Sequence, residues 1–284
     1  MKYTVIADSC CDLFSKDLNS PKINFHVVPM TLIIGEDEYV DDESLDTAMF
    51  LEKMKASKTC PRTACPSPEA FAEIMRSSDN IIIVTLSAKL SGTHASAMLA
   101  AEMIKTESPN KKLFVLDTLT ASAGVSQILF KLKDLIECGE HGFDEITVRI
   151  GEFAHQTRTR FLLQDLTNLI KNGRMGKVVG TILNTAKIKL ICGDNGAGEI
   201  KKCGMALSIK KGMQTLAEMS GKDLKIIGAD IMAPITIAHS HNEEDASFLK
   251  RILESKFGFK NIRILLMRGT ATLYAADKGI VIAN

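Results

Sequence analysis

The sequence predicts an α/β protein of two domains, an N-terminal parallel sheet flanked by helices and a C-terminal α+β domain with a mixed or antiparallel sheet. Three observations predict it. Through the first half, short apolar or β-branched runs alternate with segments of helical spacing. Small polar residues stand directly after each of those runs, where a strand would hand over to a helix. In the second half this alternation gives way to extended segments joined by a short glycine-rich loop.

Taken in order, residues 3–7 are a β-branched run ending at Asp8-Ser9. Residues 23–34 are a second extended region, interrupted at Pro29, whose ring removes a ladder donor. Leu45, Met49, Leu51 and Met54 give residues 45–55 helical spacing. Ser67-Pro68-Glu69 reads as a helix start, with a cap, a proline at the first helical position and an acid in the first turn. Residues 81–86 are apolar but for Thr85, as in strands buried on both faces. A Ser/Gly turn then leads into a helix over 93–105. Residues 113–116 form another buried strand, followed by Asp117 and a helix to about residue 137. Strand–turn–helix repeats with short loops predict a parallel sheet covered by helices. Ligands of such sheets bind beyond the carboxyl ends of the strands. Asp8-Ser9, Ser87 to Thr93 and Asp117-Thr118 occupy those ends and are expected to meet at one edge, facing a crevice.

Residues 143–155 have helical spacing and open the change of pattern. Residues 184–192 and 199–204 read as strands joined by the hairpin-like loop Gly193-Asp194-Asn195-Gly196-Ala197-Gly198. Residues 208–219 read as a helix. Residues 235–239 and 262–267 read as strands around a helix over 243–257, and 279–283 closes the chain as an apolar strand. The domain boundary is expected near residue 150, dividing the chain into 1–150 and 151–284.

Composition narrows the function. The 284 residues carry 35 basic and 34 acidic side chains, a formal net charge of +1. That balance offers no basic field for a nucleic-acid backbone. No run of about 18 uncharged apolar residues occurs, so no membrane span is expected. The first residues lack the apolar core of a signal peptide, and a soluble cytoplasmic protein is expected. Seven scattered cysteines include no C-x-x-C pair, which favours free thiols over zinc or redox chemistry.

Enzyme motifs are absent: there is no G-x-S-x-G elbow and no phosphate-binding G-x-x-x-x-G-K-[ST] loop. Ser208-Ile209-Lys210-Lys211 matches S-x-x-K without its companion motifs. The Gly193–Gly198 loop joins strand to strand, so it lacks the helix N-terminus of a phosphate cradle. His239-Ser240-His241 ends a strand with no third ligand in view, and no metal site is expected. Two segments stand out. In Pro61-Arg62-Thr63-Ala64-Cys65-Pro66-Ser67-Pro68-Glu69, prolines hold the chain extended and then launch a helix, with the hydroxyls of Thr63 and Ser67 nearby. In Leu90-Ser91-Gly92-Thr93-His94, hydroxyls fall at a helix start whose free N–H groups and positive dipole end favour an oxyanion. Each segment is also explained by ordinary helix capping.

Taken together, these segments resemble the DegV family. Its members carry an Asp-Ser after the first strand, a Thr-Ser-Gln-Pro-Ser-Pro-like loop, a Leu-Ser-Gly-Thr turn, an Asp-Ser/Thr turn with small residues, and an Asn-Gly-Arg loop. Here these are Asp8-Ser9, Thr63 to Pro68, Leu90 to Thr93, Asp117 to Gly124, and Asn172-Gly173-Arg174, in the same order over nearly the whole chain. The resemblance implies two α/β domains with a fatty acid, palmitate- or oleate-like, between them. It implies a carboxylate held by Thr63 and Ser91 at two helix starts, with Ser67, Gly92, Thr93 and Tyr274 as neighbours. It implies no cofactor and no catalytic residue. Some members deliver the fatty acid to a separate kinase, and Arg174 would then face that partner. The alternative is a small-molecule hydrolase or transferase using Ser91, His94 or Asp117. One departure is plain. The family's Gly-Thr-His-x-Gly-Pro-Gly loop is replaced by Gly269-Thr270-Ala271-Thr272-Leu273-Tyr274-Ala275, and counting from the C-terminus places Tyr274 near the missing His. The loop's Gln is replaced by Cys65.

Overall fold

The computed structural model describes residues 2–176 and 189–284. In chain order its first elements are β1 (Tyr3–Asp8), α1 (Ser15–Leu18), β2 (Ile23–Val28), β3 (Thr31–Ile34), β4 (Asp37–Val40), α2 (Thr47–Ala56), β5 (Arg62–Ala64) and α3 (Pro68–Arg76). There follow β6 (Asn80–Thr85), α4 (Thr93–Glu107), β7 (Lys112–Asp117), α5 (Ala123–Cys138) and α6 (Phe143–Gln156). The remainder comprises β8 (Thr159–Leu162), α7 (Thr167–Lys171), β9 (Lys189–Asp194), β10 (Ile200–Ala206), α8 (Ile209–Ile226), β11 (Ile235–His239), α9 (Glu243–Ile252), β12 (Ile262–Leu266), α10 (Gly269–Ala275) and β13 (Ile280–Ala283).

Four parallel strands form the first sheet, in the order β2-β1-β6-β7. Side chains of a strand alternate between its faces, and both faces here are apolar. Val5, Ala7, Ile82 and Val84 pack against α5 and α6. Ile6, Ile81 and Ile83 pack the other way, against Phe71 and Met75 of α3 and Ala97 and Ile104 of α4. This is why residues 81–84 read as a continuous apolar run. The second sheet has six strands in the order β10-β9-β8-β13-β11-β12, with only β11 and β12 parallel. Its outer face packs on α8 and α9. Its inner face, with Phe161, Leu190, Cys192 and Val281, turns toward Ala123 at the start of α5 and toward α10. The expected α/β class, with a parallel first sheet and a mixed second one, is the observed architecture.

Several segments differ from expectation. Pro29 does more than interrupt one strand: it separates β2 of the parallel sheet from β3 of a third, antiparallel sheet ordered β4-β3-β5. The helix expected over 208–219 runs on to Ile226. The strand expected from residue 184 is described only from Lys189, and residues 184–188 lie outside the described residues. Helix α6 crosses residue 150, and its Phe143, Ile146, Ile150 and Ala154 all belong to the core of the first sheet. Helix α10 was not foreseen at all.

Candidate functional site

The carboxyl ends of β1, β6 and β7 do come together. Asp8 accepts from the Leu86 amide at 2.8 Å and the Cys10 amide at 3.0 Å. The Ser87 amide donates to the Thr120 carbonyl at 2.8 Å. Above this edge, between it and the inner face of the second sheet, lies a cavity of about 860 Å³ including its mouth. Leu86, Leu90, Phe161, Leu163, Leu169 and Val281 supply apolar walls.

Polar groups gather on one part of this wall: Thr63, Ser91, Arg174 and Tyr274 all line the cavity. Four separate segments deliver them. Thr63 sits on β5, opposite Leu32 of β3. Ser91 lies in the turn before α4, whose N-cap Gly92 has no side chain to occupy the first-turn N–H groups. The Ser91 and Thr93 hydroxyls are 2.9 Å apart, and the Thr93 amide donates to Ser91 Oγ at 3.3 Å. Tyr274 comes from α10, and its hydroxyl is 3.0 Å from Thr63 Oγ1. Burial pushes the Tyr274 phenol above its ordinary range, against the opposing pull of Thr63 and Arg174. Arg174 lies 5.6 Å from the centre of the Tyr274 ring, close enough for a cation–π contact. Its Nε donates to the Leu90 carbonyl at 3.2 Å, and its guanidinium also reaches the Asn172 carbonyl.

The Asn-Gly-Arg loop is fixed by its neighbours. Asn172 Nδ2 donates to the Pro61 carbonyl at 2.9 Å, tying the loop to the lead-in of β5. Asn168 Nδ2 donates to the Leu273 carbonyl at 2.7 Å, tying α7 to α10. Gly173 turns the chain at φ +75°, a region few other residues enter cheaply. Below the cavity, α10 is anchored by buried charge. Asp41, fully buried, accepts from the Gly269 and Thr270 amides, both at 2.8 Å, and from the Thr270 hydroxyl at 2.6 Å. Asp12 accepts from the Arg268 amide at 2.9 Å and from the Ser122 hydroxyl. Burial raises the carboxyls of Asp8 and Asp12 to about 7 each, outweighing the hydrogen bonds they accept.

Not every expected residue reaches the cavity. Thr63 lies on a strand rather than at a helix start, because Pro66 and Pro68 delay the helix until Ser67 caps it. Ser67 Oγ is used in that cap, accepting from the Ala70 amide at 3.3 Å, and does not line the cavity. Gly92 and Thr93 stand behind Ser91 rather than in the wall. Arg174, expected to face a partner, lines the cavity. Ser91, His94 and Asp117 form no nucleophile–base pair. His94 Nδ1 pairs with Thr85 Oγ1 at 3.1 Å, and Asp117 Oδ1 accepts from the Ala88 and Leu119 amides. His239 and His241 do not pair on a metal: His239 Nδ1 accepts from the Asn242 amide at 3.0 Å, and His241 Nε2 lies 2.9 Å from Thr47 Oγ1. Aligned on Gly269-Thr270, the family's missing His falls on Ala271, which also lines the cavity. Tyr274 is three residues further along the same helix face.

Sequence reasoning missed Cys10, Thr120, Ser122, Thr159 and Thr270 of the lining. The strand-end rule already reached as far as Ser9 and Thr118, so a wider margin would have found Cys10, Thr120 and Ser122. Thr270 lies in the Gly269-Thr270 remnant of the family's Gly-Thr-His loop, whereas nothing local marks Thr159.

Among the described residues, no helix is long and apolar enough to cross a membrane. Comparison with known proteins places the chain in context. The DegV family model matches residues 2–283. A DegV domain-containing protein of Streptococcus pyogenes serotype M18 is 31% identical over 281 residues, covering 99% of this chain and 98% of that protein. The fatty acid kinase B3 protein of Streptococcus pneumoniae, solved loaded with linoleic acid, has 30% identity and a TM-score of 0.91 over 100% of this chain and 99% of its own. A Ruminococcus gnavus DegV family protein refined with vaccenic acid has 30% identity and a TM-score of 0.91, covering 99% of each chain. A Eubacterium eligens member loaded with heptadecanoic acid has 29% identity and a TM-score of 0.89, covering 99% of this chain and 98% of that one. With a family match from residue 2 to residue 283 and a 31% identical relative aligned over almost its whole length, this chain belongs to the DegV family.

Proposed function

We propose that this chain binds one long-chain fatty acid, holds its carboxylate at Thr63, Ser91, Tyr274 and Arg174, and presents that carboxylate to a partner fatty acid kinase without catalysing a step itself. The observation that carries the reading is the division of the cavity wall. Leucine, alanine, isoleucine, methionine, phenylalanine and valine supply about half of the lining residues, and the Thr63 and Tyr274 hydroxyls meet beside Arg174, which bonds the carbonyl of Leu90, the residue before Ser91. An acyl chain gains roughly 0.8 kcal/mol per buried methylene, so its binding needs no charge along its length. A buried carboxylate is costly unless donors replace its water. Thr63, Ser91 and Tyr274 supply O–H donors, the open first turn of α4 supplies N–H groups, and Arg174 supplies the opposite charge. Arg62, Cys65 and Gly92 are exposed around these groups, which keeps the carboxylate near solvent and within a kinase's reach. The S. pneumoniae relative, named as a fatty acid kinase B3 protein, supports the same partnership. The chain divides in this reading into two units meeting at the cavity, with the break moved from residue 150 to residues 157–158, between α6 and β8.

The test is identification of the ligand that accompanies the purified protein. Mass spectrometry after gentle denaturation is expected to release about one long-chain acid per chain, and stripped protein is expected to rebind palmitate or oleate. With a purified fatty acid kinase and ATP, acyl phosphate is expected to form only when this chain is present. Absence of any acyl species, together with failure to bind either acid, sinks the proposal.

A further inference from the structure

Two threonines from opposite halves of the chain meet on the cavity wall. Thr120 follows β7 and Thr159 opens β8; both line the cavity, and they are only 5% and 6% exposed. Their hydroxyl oxygens lie 2.7 Å apart. Both face the first turn of α5, where a Cβ added to Gly124 would stand 2.2 Å from Thr120 Oγ1 and 2.5 Å from Thr159 Oγ1. Glycine at 124 is what leaves the two hydroxyls room to meet.

Two hydroxyls bring two O–H donors, and the single bond between them uses one. Neither hydroxyl has a further partner among the described residues. One O–H is therefore left over, whichever threonine carries it. The neighbouring hydroxyls differ: Ser122 donates to Asp12 and Thr270 donates to Asp41. A buried donor with no acceptor is costly, whereas an acceptor brought by a ligand removes that cost.

We propose that this left-over hydroxyl proton is a selectivity element, making the cavity favour fatty acids that carry an oxygen on the acyl chain, hydroxy or keto, over plain saturated chains. The inference rests on the fatty-acid reading above and names the class of acid within it. A ligand oxygen beside the pair accepts the spare proton. A saturated chain leaves that proton facing methylenes. If the pair only pins the two halves together, it carries no such preference.

The experiment is competitive binding of stearate against a panel of monohydroxystearates with the hydroxyl at successive positions along the chain. At least one member is expected to bind about three- to tenfold more tightly than stearate, the scale of one net hydrogen bond. Thr120→Val or Thr159→Val alone removes one hydroxyl and frees the other, so one spare O–H remains and the preference should persist. The Thr120→Val/Thr159→Val double variant should bring the ratio to about one while stearate still binds. The inference is overturned if no hydroxystearate exceeds stearate, or if the preference survives in a folded double variant. Should the double variant not fold, the wild-type panel decides alone. If neither stearate nor any hydroxystearate binds the wild-type chain, the fatty-acid reading itself has failed.

Discussion

Replacing Tyr274 by Phe removes one oxygen and leaves the ring in place. In the ligand-free protein that oxygen pairs with Thr63 Oγ1 at 3.0 Å, so the cost to folding is that of one ordinary hydrogen bond, about 1 kcal/mol. In the complex it would donate to a carboxylate, and such bonds contribute about 1.5–3 kcal/mol. At 1.4 kcal/mol per factor of ten, the Tyr274→Phe variant should bind oleate roughly 10- to 100-fold more weakly. The retained ring keeps its contact with Arg174, so the loss is attributable to the hydroxyl. The assay is displacement of a fluorescent fatty acid, repeated at several values between pH 6 and pH 9. Burial holds the phenol above its usual range, so it stays protonated throughout. The wild-type to variant affinity ratio should therefore be flat with pH, unlike that of a site closed by a titrating imidazole. A Kd within twofold of wild type, or a ratio that slopes through the imidazole range, refutes the assignment of Tyr274 to the head-group site.

Three further expectations follow from the same geometry. Thr63→Ala combined with Ser91→Ala should weaken oleate binding by a few kcal/mol in isothermal titration, since in the proposed complex each hydroxyl would bond the charged carboxylate; unchanged affinity would move the carboxylate elsewhere. Gly198→Ala should lower the melting temperature by more than Ser87→Ala does. Gly198 stands at φ +85° with its added Cβ 2.3 Å from Ser87 Oγ, and the left-handed region alone costs a side chain roughly 1–2 kcal/mol; the Ser87 variant loses only the 2.7 Å bond to the Gly198 carbonyl. Asp12→Asn should change the pH dependence of folding. Burial raises the Asp12 carboxyl to about 7, whereas the unfolded chain loses that proton near pH 3.9. The native state thus holds an extra proton between those values, and this group's contribution to stability falls as pH rises through the window and is level above it. Urea titrations should show the Asp12→Asn variant gaining on wild type by up to about 4 kcal/mol from pH 4 to pH 7, at ~1.36 kcal/mol per pKa unit; a constant difference would contradict a buried, protonated Asp12.

How much of this was legible beforehand depends on whether the cause is local. Residues 81–86 announce a doubly buried strand because every side chain but Thr85 is apolar, and Ser67-Pro68-Glu69 announces a helix because cap, proline and acid are adjacent. The strand-end rule brings Ser91 to the cavity from sequence position alone. Helix α10 has no such local cause. Gly269-Thr270-Ala271-Thr272 contains a glycine and two β-branched residues, a weak helix former. Its first amides are capped by Asp41, 228 residues away, and no window on the sequence contains both. The small sheet is similar, since Thr63 becomes a strand residue only by pairing with Leu32.

The same remote anchoring explains how the head-group site can depart from the family's pattern without a change of fold. Asp41 and Asp12 hold the start of α10 through the amides of Arg268, Gly269 and Thr270 and through the Thr270 hydroxyl. These anchors lie at residues 268–270, ahead of Ala271 and Tyr274, so they make no use of the side chains at those two positions. Ala271 stands where the family's His falls in the sequence, and Tyr274, three residues on, extends a phenol to Thr63. In the proposed head-group site, a donor that titrates near neutrality gives way to one that does not. The replacement therefore bears on the pH range over which a carboxylate is held, rather than on whether the cavity exists.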